Sequence, residues 1–477
     1  MREVKIDPRK LERLVGLFEP ERAEWLAGVV VKAREVLDGR VVWNVNATAS
    51  GGGVAEMLQA LLAYSLGASV DSRWLVLDGT PEFFKLTKRI HNLLHGSVGD
   101  GGPLGAAEHQ VYDSVLAGNA DALGSRVRRG DIVLLHDPQT AGMVAGLQAA
   151  GAHVVWRSHI GKDGTNEQTD LAWAFLRPYI SQAEAVIFSR TEYVPDAIDR
   201  SRLRIIMPSL DPFTAKNADL SAGAVAATLV HAGLVDLDDA GGAPEFERRD
   251  GSTGTLRDHE GLVVAGDVVP RDARVVLQVS RWDRLKDMTG VLKGFTDHLD
   301  AMPADAHLML VGPDVYGVSD DPEGAEVLDE CVEAWKALPE HAQSRVHLVA
   351  LPMDDVDENA HIVNALQRYA TVVVQKSLVE GFGLTVTEPM WKGKPVIASK
   401  VGGIQDQIVD GVSGLLLADP ADLDEFARCL AGLLDDDELA ARLGRGAYER
   451  VKDRFLGDRH LAQYVDLITD LVGTEAP

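Results

Sequence analysis

Short runs of Val, Ile and Leu recur along the whole chain, separated by stretches whose apolar residues have helical spacing. In the first half they are VVWNV (41–45), RWLVL (73–77), IVLLH (132–136), HVVWR (153–157), AVIFS (185–189) and RIIMP (204–208). The second half has ARVVLQVS (273–280), AHLMLVG (306–312), RVHLVA (345–350), TVVVQ (371–375), KPVIAS (394–399) and GLLLA (414–418). A strand with one face in water alternates apolar and polar residues, but several of these runs are apolar throughout. They fit parallel strands covered by helices on both faces. Alternation of this kind over 477 residues exceeds one ordinary core and predicts two doubly wound, Rossmann-like α/β domains.

The crossover falls in MPSLDPFTAKN (207–217), where two prolines stiffen a short connection. The expected organisation is an N-terminal domain over 1–210, a C-terminal domain over 211–455, and a terminal helix in 456–477. In that helix the apolar spacing of DRHLAQYVDLITDLV (458–472) suits packing back on the first domain. DLDDAGGAPEFERRDGSTGTLRDHEG (236–261) is polar, acidic and glycine-rich, and reads as a surface loop early in the second domain, with a composition that also permits disorder. DDDE (435–438) reads as a helix start, where negative charge suits the dipole.

Lys plus Arg number 47 against 73 Asp plus Glu, a formal charge of -26. That field repels nucleic acid and anionic membranes, so an anionic ligand must be held by a focused site. Two cysteines, Cys331 and Cys429, are too few for a disulfide framework or a cysteine zinc site, and fit a reducing compartment. Neither a secretory leader nor a membrane span is visible, so a soluble cytoplasmic protein is expected.

KSLVEGFGLTVTEPMW (376–391) carries the strongest chemical signal. It is a strand exit, a Gly-Phe-Gly loop and a helix containing Pro389, which is best tolerated near a helix start. The first helical residues are therefore expected at Thr385 or Val386. Gly381, Phe382, Gly383, Leu384 and Thr385 would then form an anion-binding turn whose free N–H groups suit a phosphate. Glu380 before the turn and Glu388 inside the helix are placed to accept hydrogen bonds from sugar hydroxyls on either side of a diphosphate. Two exposed acids around a plain turn is the bland alternative, and the glycines and the proline weigh against it.

Other strand ends carry polar groups where open α/β sheets bind ligands. SRWDRLKD (280–287) places Arg281 and Lys286 to neutralise a diphosphate, although either alone is more often a solvated surface charge. NATASGGGVAEML (46–58) joins a strand to a helix through Gly51, Gly52 and Gly53, and a tight turn needs no ligand. LLHDPQ brings His136, Asp137 and Gln139 to one strand end, and WRSHIG brings Arg157 and His159 to the next. Asp137 is a candidate for binding an acceptor sugar, and His159 for supporting positive charge at an anomeric carbon. Nothing resembles a Walker loop, a metal-ligand set or a hydrolase nucleophile elbow.

EGFGLTVTE, SRWDRLK and VIASKVGGIQDQIVDGVSGLL (396–416) together resemble the retaining glycosyltransferases of family 4, which have the GT-B fold of two Rossmann-like domains around a cleft. NATASGGGVAEML, PEFFKLTKRIHNLLHG (81–96), LLHDPQ, WRSHIG, SRTEYVP (189–195) and PSLDPFTAKN are similar to the narrower trehalose glycosyltransferring synthase family. That resemblance implies α-retaining transfer from a nucleoside diphosphate glucose to free glucose, giving trehalose. By the same resemblance Glu380 contacts the donor glucose and Glu388 the ribose. Arg281 and Lys286 bind the diphosphate near Gly52 and Gly53, His159 lies beneath the reacting carbon, and Asp137, with Gln139 and His136, positions the acceptor. No metal is obligatory, Mg²⁺ is allowed but not required by the sequence, and the resemblance leaves room for a homodimer. The alternatives are a trehalose phosphorylase, a retaining transferase to another small sugar or polyol, and a non-catalytic nucleotide-sugar sensor.

Overall fold

The computed structural model describes residues 1–49, 53–237, 242–315 and 322–473. The chain divides into two compact units, residues 1–209 with 455–477, and residues 210–454. In the first unit, β1 (Arg2–Val4), β2 (Val42–Asn46), β3 (Ser72–Val76), β4 (Ile132–His136), β5 (His153–Arg157), β6 (Ala185–Phe188) and β7 (Leu203–Ile205) form one sheet. Their order is β1-β3-β2-β4-β5-β6-β7, with only β1 antiparallel to its neighbour. Every residue of β2, β4, β5 and β6 is buried, which is why these stretches lack the alternation of a one-faced sheet.

The second unit opens with the helix Ala222–His231, followed by a hairpin of β8 (Glu245–Glu247) and β9 (Thr253–Thr255). Its main sheet contains β10 (Val263–Ala265), β11 (Arg274–Val279), β12 (Ala306–Pro313), β13 (Val346–Leu351), β14 (Val372–Gln375), β15 (Val396–Ser399) and β16 (Leu415–Leu417). The order is β10-β13-β12-β11-β14-β15-β16, parallel except for β10. Both sheets are thus doubly wound, as the alternating pattern predicts. In each, the chain fills one side of its first parallel strand and then the other. The resulting switch points lie between β2 and β4 and between β11 and β14, the positions at which open parallel sheets bind ligands beyond the strand carboxyl ends.

The terminal helix, Gly457–Gly473, belongs to the first unit, burying Ala462, Val465, Leu467 and Ile468. Its first turn is fixed by Asp458, fully buried and held by both Arg22 Nε (2.7 Å) and Nη2 (3.0 Å). Of the acidic DDDE stretch, Asp435 ends the helix Leu423–Asp435, and Asp437 and Glu438 stand in the first turn of the helix Asp437–Arg454. No described helix is long and apolar enough to cross a membrane.

Two local expectations change. RIIMP is not a strand over its whole length: β7 is Leu203–Ile205, and the prolyl end lies outside it. The 236–261 segment, apart from 238–241, which lie outside the described residues, is a docked hairpin and not a plain loop. Arg248 pairs with Asp355 (2.6 Å), Arg249 with Asp357 (2.9 Å) and Arg257 with Asp354 (2.7 Å), so acids far along the chain organise its basic positions.

Candidate active site

In the second unit, Lys286 and Glu380 meet across the β11–β14 switch point. Lys286 ends a short 3-10 turn, Arg284–Lys286, whose N-cap Asp283 accepts from Leu285 N–H (2.8 Å). Glu380 follows β14, and Leu378 N–H donates to Leu285 O (2.8 Å), stitching the two loops together. The Lys286 ammonium then lies 2.6 Å from Glu380 Oε2, and the side chains are only 15% and 11% exposed. Ser377 Oγ donates to the same carboxylate oxygen (3.4 Å). A positive group and an acceptor for hydroxyls are therefore presented together at the place where an open parallel sheet binds its ligand.

The Gly-Phe-Gly loop is built around one left-handed residue. Gly383 has φ +81, where a side chain is strained, and a Cβ would fall 2.9 Å from Glu380 Cγ. It caps the helix Leu384–Trp391, so the helix begins earlier than the expected Thr385 or Val386. Pro389 is consequently its sixth residue, in the second turn and not at the start. Carbonyl groups of the loop are tied down from behind: Gly403 N–H donates to Gly381 O (2.8 Å), and Gln407 Nε2 donates to Phe382 O. Phe382 is buried, whereas Gly381, Leu384 and Thr385 are half-buried at the helix entrance.

Glu388 is set differently from Glu380. It is only 5% exposed, beside Lys216 Nζ (3.5 Å) and Gln367 Nε2 (3.4 Å). Lys392 reaches Gln367 Oε1 (2.8 Å), Asn217 Oδ1 (3.1 Å) and the Glu388 carbonyl (3.3 Å). Burial pushes the Lys392 ammonium below its ordinary range, with the Glu388 charge opposing that shift. Arg281, by contrast, is 66% exposed and pairs with Asp283 (2.8 Å). The two cations expected to act jointly thus have unlike settings: Lys286 faces an internal carboxylate, and Arg281 stands in solvent.

In the first unit, His136, Asp137 and His159 converge at the ends of β4 and β5. His136 is fully buried, with Nε2 3.1 Å from Asn44 Oδ1 on β2 and Nδ1 2.9 Å from His159 Nε2. Asn44, His136 and His159 thus form one line of contacts in which each neutral ring offers one donor and one acceptor nitrogen. Burial, and next the Arg157 charge, hold His136 neutral with its pKa down to about 3 and His159 well below its ordinary range.

Asp137 adopts φ +65, a conformation uncommon for a residue with a side chain. It is held there by its N–H on Arg157 O (2.7 Å) and by His159 N–H on its Oδ1 (2.7 Å). Burial raises its carboxyl pKa to about 7, against the lowering effect of the His159 N–H and of Arg157. Gln139 is half-buried two residues on. Gly53 opens the helix Gly53–Gly67 and is exposed, while Gly51 and Gly52 lie outside the described residues.

Several participants escape a reading of the sequence. Asn44 looks like one polar residue in an apolar run, yet its side-chain amide meets His136 Nε2. Lys216, Gln367 and Lys392 surround Glu388 from distant segments, and Gly403 and Gln407 support the 381–382 carbonyls. The GGI within 396–416 is the available signal for Gly403, because a Cβ there would lie 2.8 Å from Phe382 Cα. Among the described residues, no group of three or more His, Cys, Asp or Glu is arranged to hold a metal ion.

Residues 44–195 match the family "Trehalose synthase, N-terminal domain", and residues 267–450 match "Glycosyl transferases group 1". The trehalose synthase of Pyrococcus horikoshii is 32% identical over 99% of each chain. That of Rubrobacter xylanophilus is 33% identical over 92% of each. A trehalose phosphorylase from Pleurotus pulmonarius is 26% identical over 89% of this chain but 56% of its own. Among solved structures, the trehalose-6-phosphate synthase OtsA superposes with a TM-score of 0.66 at 14% identity, covering 92% of this chain and 100% of that one. At that identity the likeness speaks for the fold alone, which is GT-B. Taken with the full-length sequence relatives, it leaves one assignment: the chain is a glycosyltransferase and belongs to the trehalose synthase family.

Proposed function

We propose that this enzyme transfers glucose from a nucleoside diphosphate glucose to free glucose, with retention at the anomeric carbon, giving α,α-trehalose. The observation that carries the donor reading is the Lys286–Glu380 pair at the β11–β14 switch point, beside the αL cap at Gly383. Lys286 and Arg281 supply positive charge to the diphosphate, and N–H groups at 383–385 supply donors. Glu380 accepts from glucose hydroxyls and Glu388 from the ribose. On the acceptor side, Asp137, Gln139 and His136 orient free glucose, and His159 stabilises the positive charge that develops at the reacting carbon.

The bond between the anomeric carbon and the diphosphate oxygen breaks while the acceptor hydroxyl attacks from the same face. The departing oxygen takes the hydroxyl proton, so atoms and charge balance without an enzyme nucleophile. Electrostatic stabilisation of the leaving group and of the oxocarbenium-like state supplies the rate enhancement. Trehalose synthase relatives spanning nearly the whole chain favour this reading over a phosphorylase, whose relatives are matched over about half their length.

The test is product analysis after incubating the enzyme and glucose with ADP-, UDP- or GDP-glucose, in parallel with glucose 1-phosphate. Non-reducing disaccharide from a nucleotide sugar is the expected result. Disaccharide from glucose 1-phosphate alone would establish a phosphorylase, and donor binding with no product from any small sugar or polyol would establish a sensor.

A further inference from the structure

We propose that Lys376 and Asp287 are a positioning pair for the donor site, a buried countercharge couple that fixes the turn from which Lys286 reaches Glu380. This rests on the donor role given above to Lys286 and Glu380. The Lys376 side chain has no exposure, and its ammonium meets Asp287 and the Pro420 carbonyl (2.7 Å). Asp287, 18% exposed, directly follows Lys286 in the chain. It has φ 51 and ψ 45, a left-handed setting that Asp tolerates better than most residues, and its Oδ1 accepts Gly290 N–H (3.2 Å) to cap the helix Met288–Thr296.

The same two segments are joined by a buried amide. Gln278, inside β11, donates from Nε2 to Lys286 O (2.8 Å) and accepts Lys376 N–H at Oε1 (3.3 Å). Lys286 N–H is bonded to Asp283 O (2.8 Å). The Lys286 main chain is therefore held on both sides, and only its side chain is left to exchange Glu380 for a diphosphate. A buried ion pair is seldom more stabilising than apolar residues of the same shape, so its use here points to placement.

The pair also manages charge. Without Lys376, the Asp287 carboxylate would stand uncompensated next to Lys286, competing for its ammonium and repelling an anionic ligand. Lys376 is a positioning residue, since it has no exposure through which to touch the donor.

The test is titration of ADP, UDP and GDP into the full-length enzyme, together with kcat and KM for the nucleotide sugar. Lys376→Met should weaken diphosphate binding at least fivefold and lower kcat at least fivefold. Asp287→Asn keeps the left-handed turn and the cap; it should lower kcat at least fivefold without weakening binding. The double variant should regain binding to within threefold of the unmodified enzyme. Equal weakening in both single variants, a double variant no better than Lys376→Met, or a smaller effect of Lys376→Met overturns the proposal. If Lys376→Met does not fold, Asp287→Asn and the double variant decide it alone. Failure of the donor reading is separately visible. In that case the unmodified enzyme binds none of the three nucleotides, or Lys286→Ala binds them undiminished, and the pairing proposal falls with it.

Discussion

Replacing Glu380 by Gln should move two measurements in opposite directions. In the free enzyme the Lys286 ammonium is neutralised by Glu380 at 2.6 Å, with both side chains largely shielded. On the proposed donor role, a diphosphate must take Lys286 from that partner and also approach the Glu380 charge. Two unit charges at this distance attract by ~6 kcal/mol gross at an effective dielectric of about 20. Residual solvent screening, desolvation and side-chain entropy reduce this to a net of about 1–2 kcal/mol for a partly exposed pair. Glu380→Gln should thus tighten ADP or UDP binding by roughly 5–30-fold. A nucleoside diphosphate carries no glucose, so weaker hydrogen bonding to the sugar does not enter that measurement. The same variant should lose about 10²-fold or more in kcat/KM for the nucleotide sugar, because the uncharged amide is a weaker acceptor for glucose hydroxyls and no longer orients Lys286. Isothermal titration and initial-rate kinetics on one preparation provide both numbers. Unchanged or weaker nucleotide binding would refute the view that Glu380 holds Lys286 in reserve.

Three further outcomes follow from the geometry. The folded-state pKa of His136 is depressed to about 3 by burial, so its contribution to stability is fully present above about 6.5 and is lost as pH falls toward 3. Asp137, raised to about 7, acts with the opposite sign, contributing fully below about 3.8 and losing that contribution as pH rises through 7. Between pH 6.5 and 4, His136→Asn should therefore show a flatter fall of Tm with acidification than the unmodified enzyme, and a parallel fall would remove His136 from the account. Gly383→Ala should cost about 1–2 kcal/mol from the left-handed φ and the crowding of Glu380 Cγ, and should raise the donor KM. An unchanged KM would separate the loop conformation from donor binding. Asp458→Asn strips one charge from a pair in which the carboxylate is fully buried and Arg22 is 25% exposed, and should destabilise the first unit by about 2–4 kcal/mol in thermal or urea unfolding. A loss below ~0.5 kcal/mol would make the pair dispensable.

The parallel strands are readable from the sequence because strands buried on both faces have few polar residues to interrupt them, whereas the antiparallel edge strands β1 and β10, three residues each, leave no such run. The loops at the carboxyl ends of the parallel strands are readable for a related reason: polar residues reappear there abruptly, as in LLHDPQ, WRSHIG and SRWDRLKD. Pairings across those loops are not. Lys286 meets Glu380 only because β11 lies beside β14 while β12 and β13 lie on its other side, an order no local pattern records. Lys376 reads as the polar exit of a strand, and its burial becomes apparent only when Asp287 arrives from a neighbouring turn. Pro389 misleads because proline is best tolerated in the first turn of a helix. The left-handed cap at Gly383 sets the start instead, at Leu384, and leaves the proline in the second turn.

Net charge also bears on why the proposed donor site is built from pairs. With 73 acidic against 47 basic side chains, a cation in this chain is more readily surrounded by carboxylates than left alone. Lys286, Lys376, Arg281 and Lys216 each have a carboxylate at ion-pair distance, namely Glu380, Asp287, Asp283 and Glu388. On the proposed donor role, diphosphate affinity is then a difference between two sets of charge pairs, not a sum of attractions to free cations. Added salt should screen the exposed Arg281–Asp283 pair readily and the shielded Lys286–Glu380 pair little. Nucleotide binding should accordingly depend weakly on ionic strength in the unmodified enzyme. In Glu380→Gln, where an uncompensated Lys286 attracts the anion directly, the dependence should steepen. Equal salt slopes for the two proteins would mean that the diphosphate does not compete with Glu380 for Lys286.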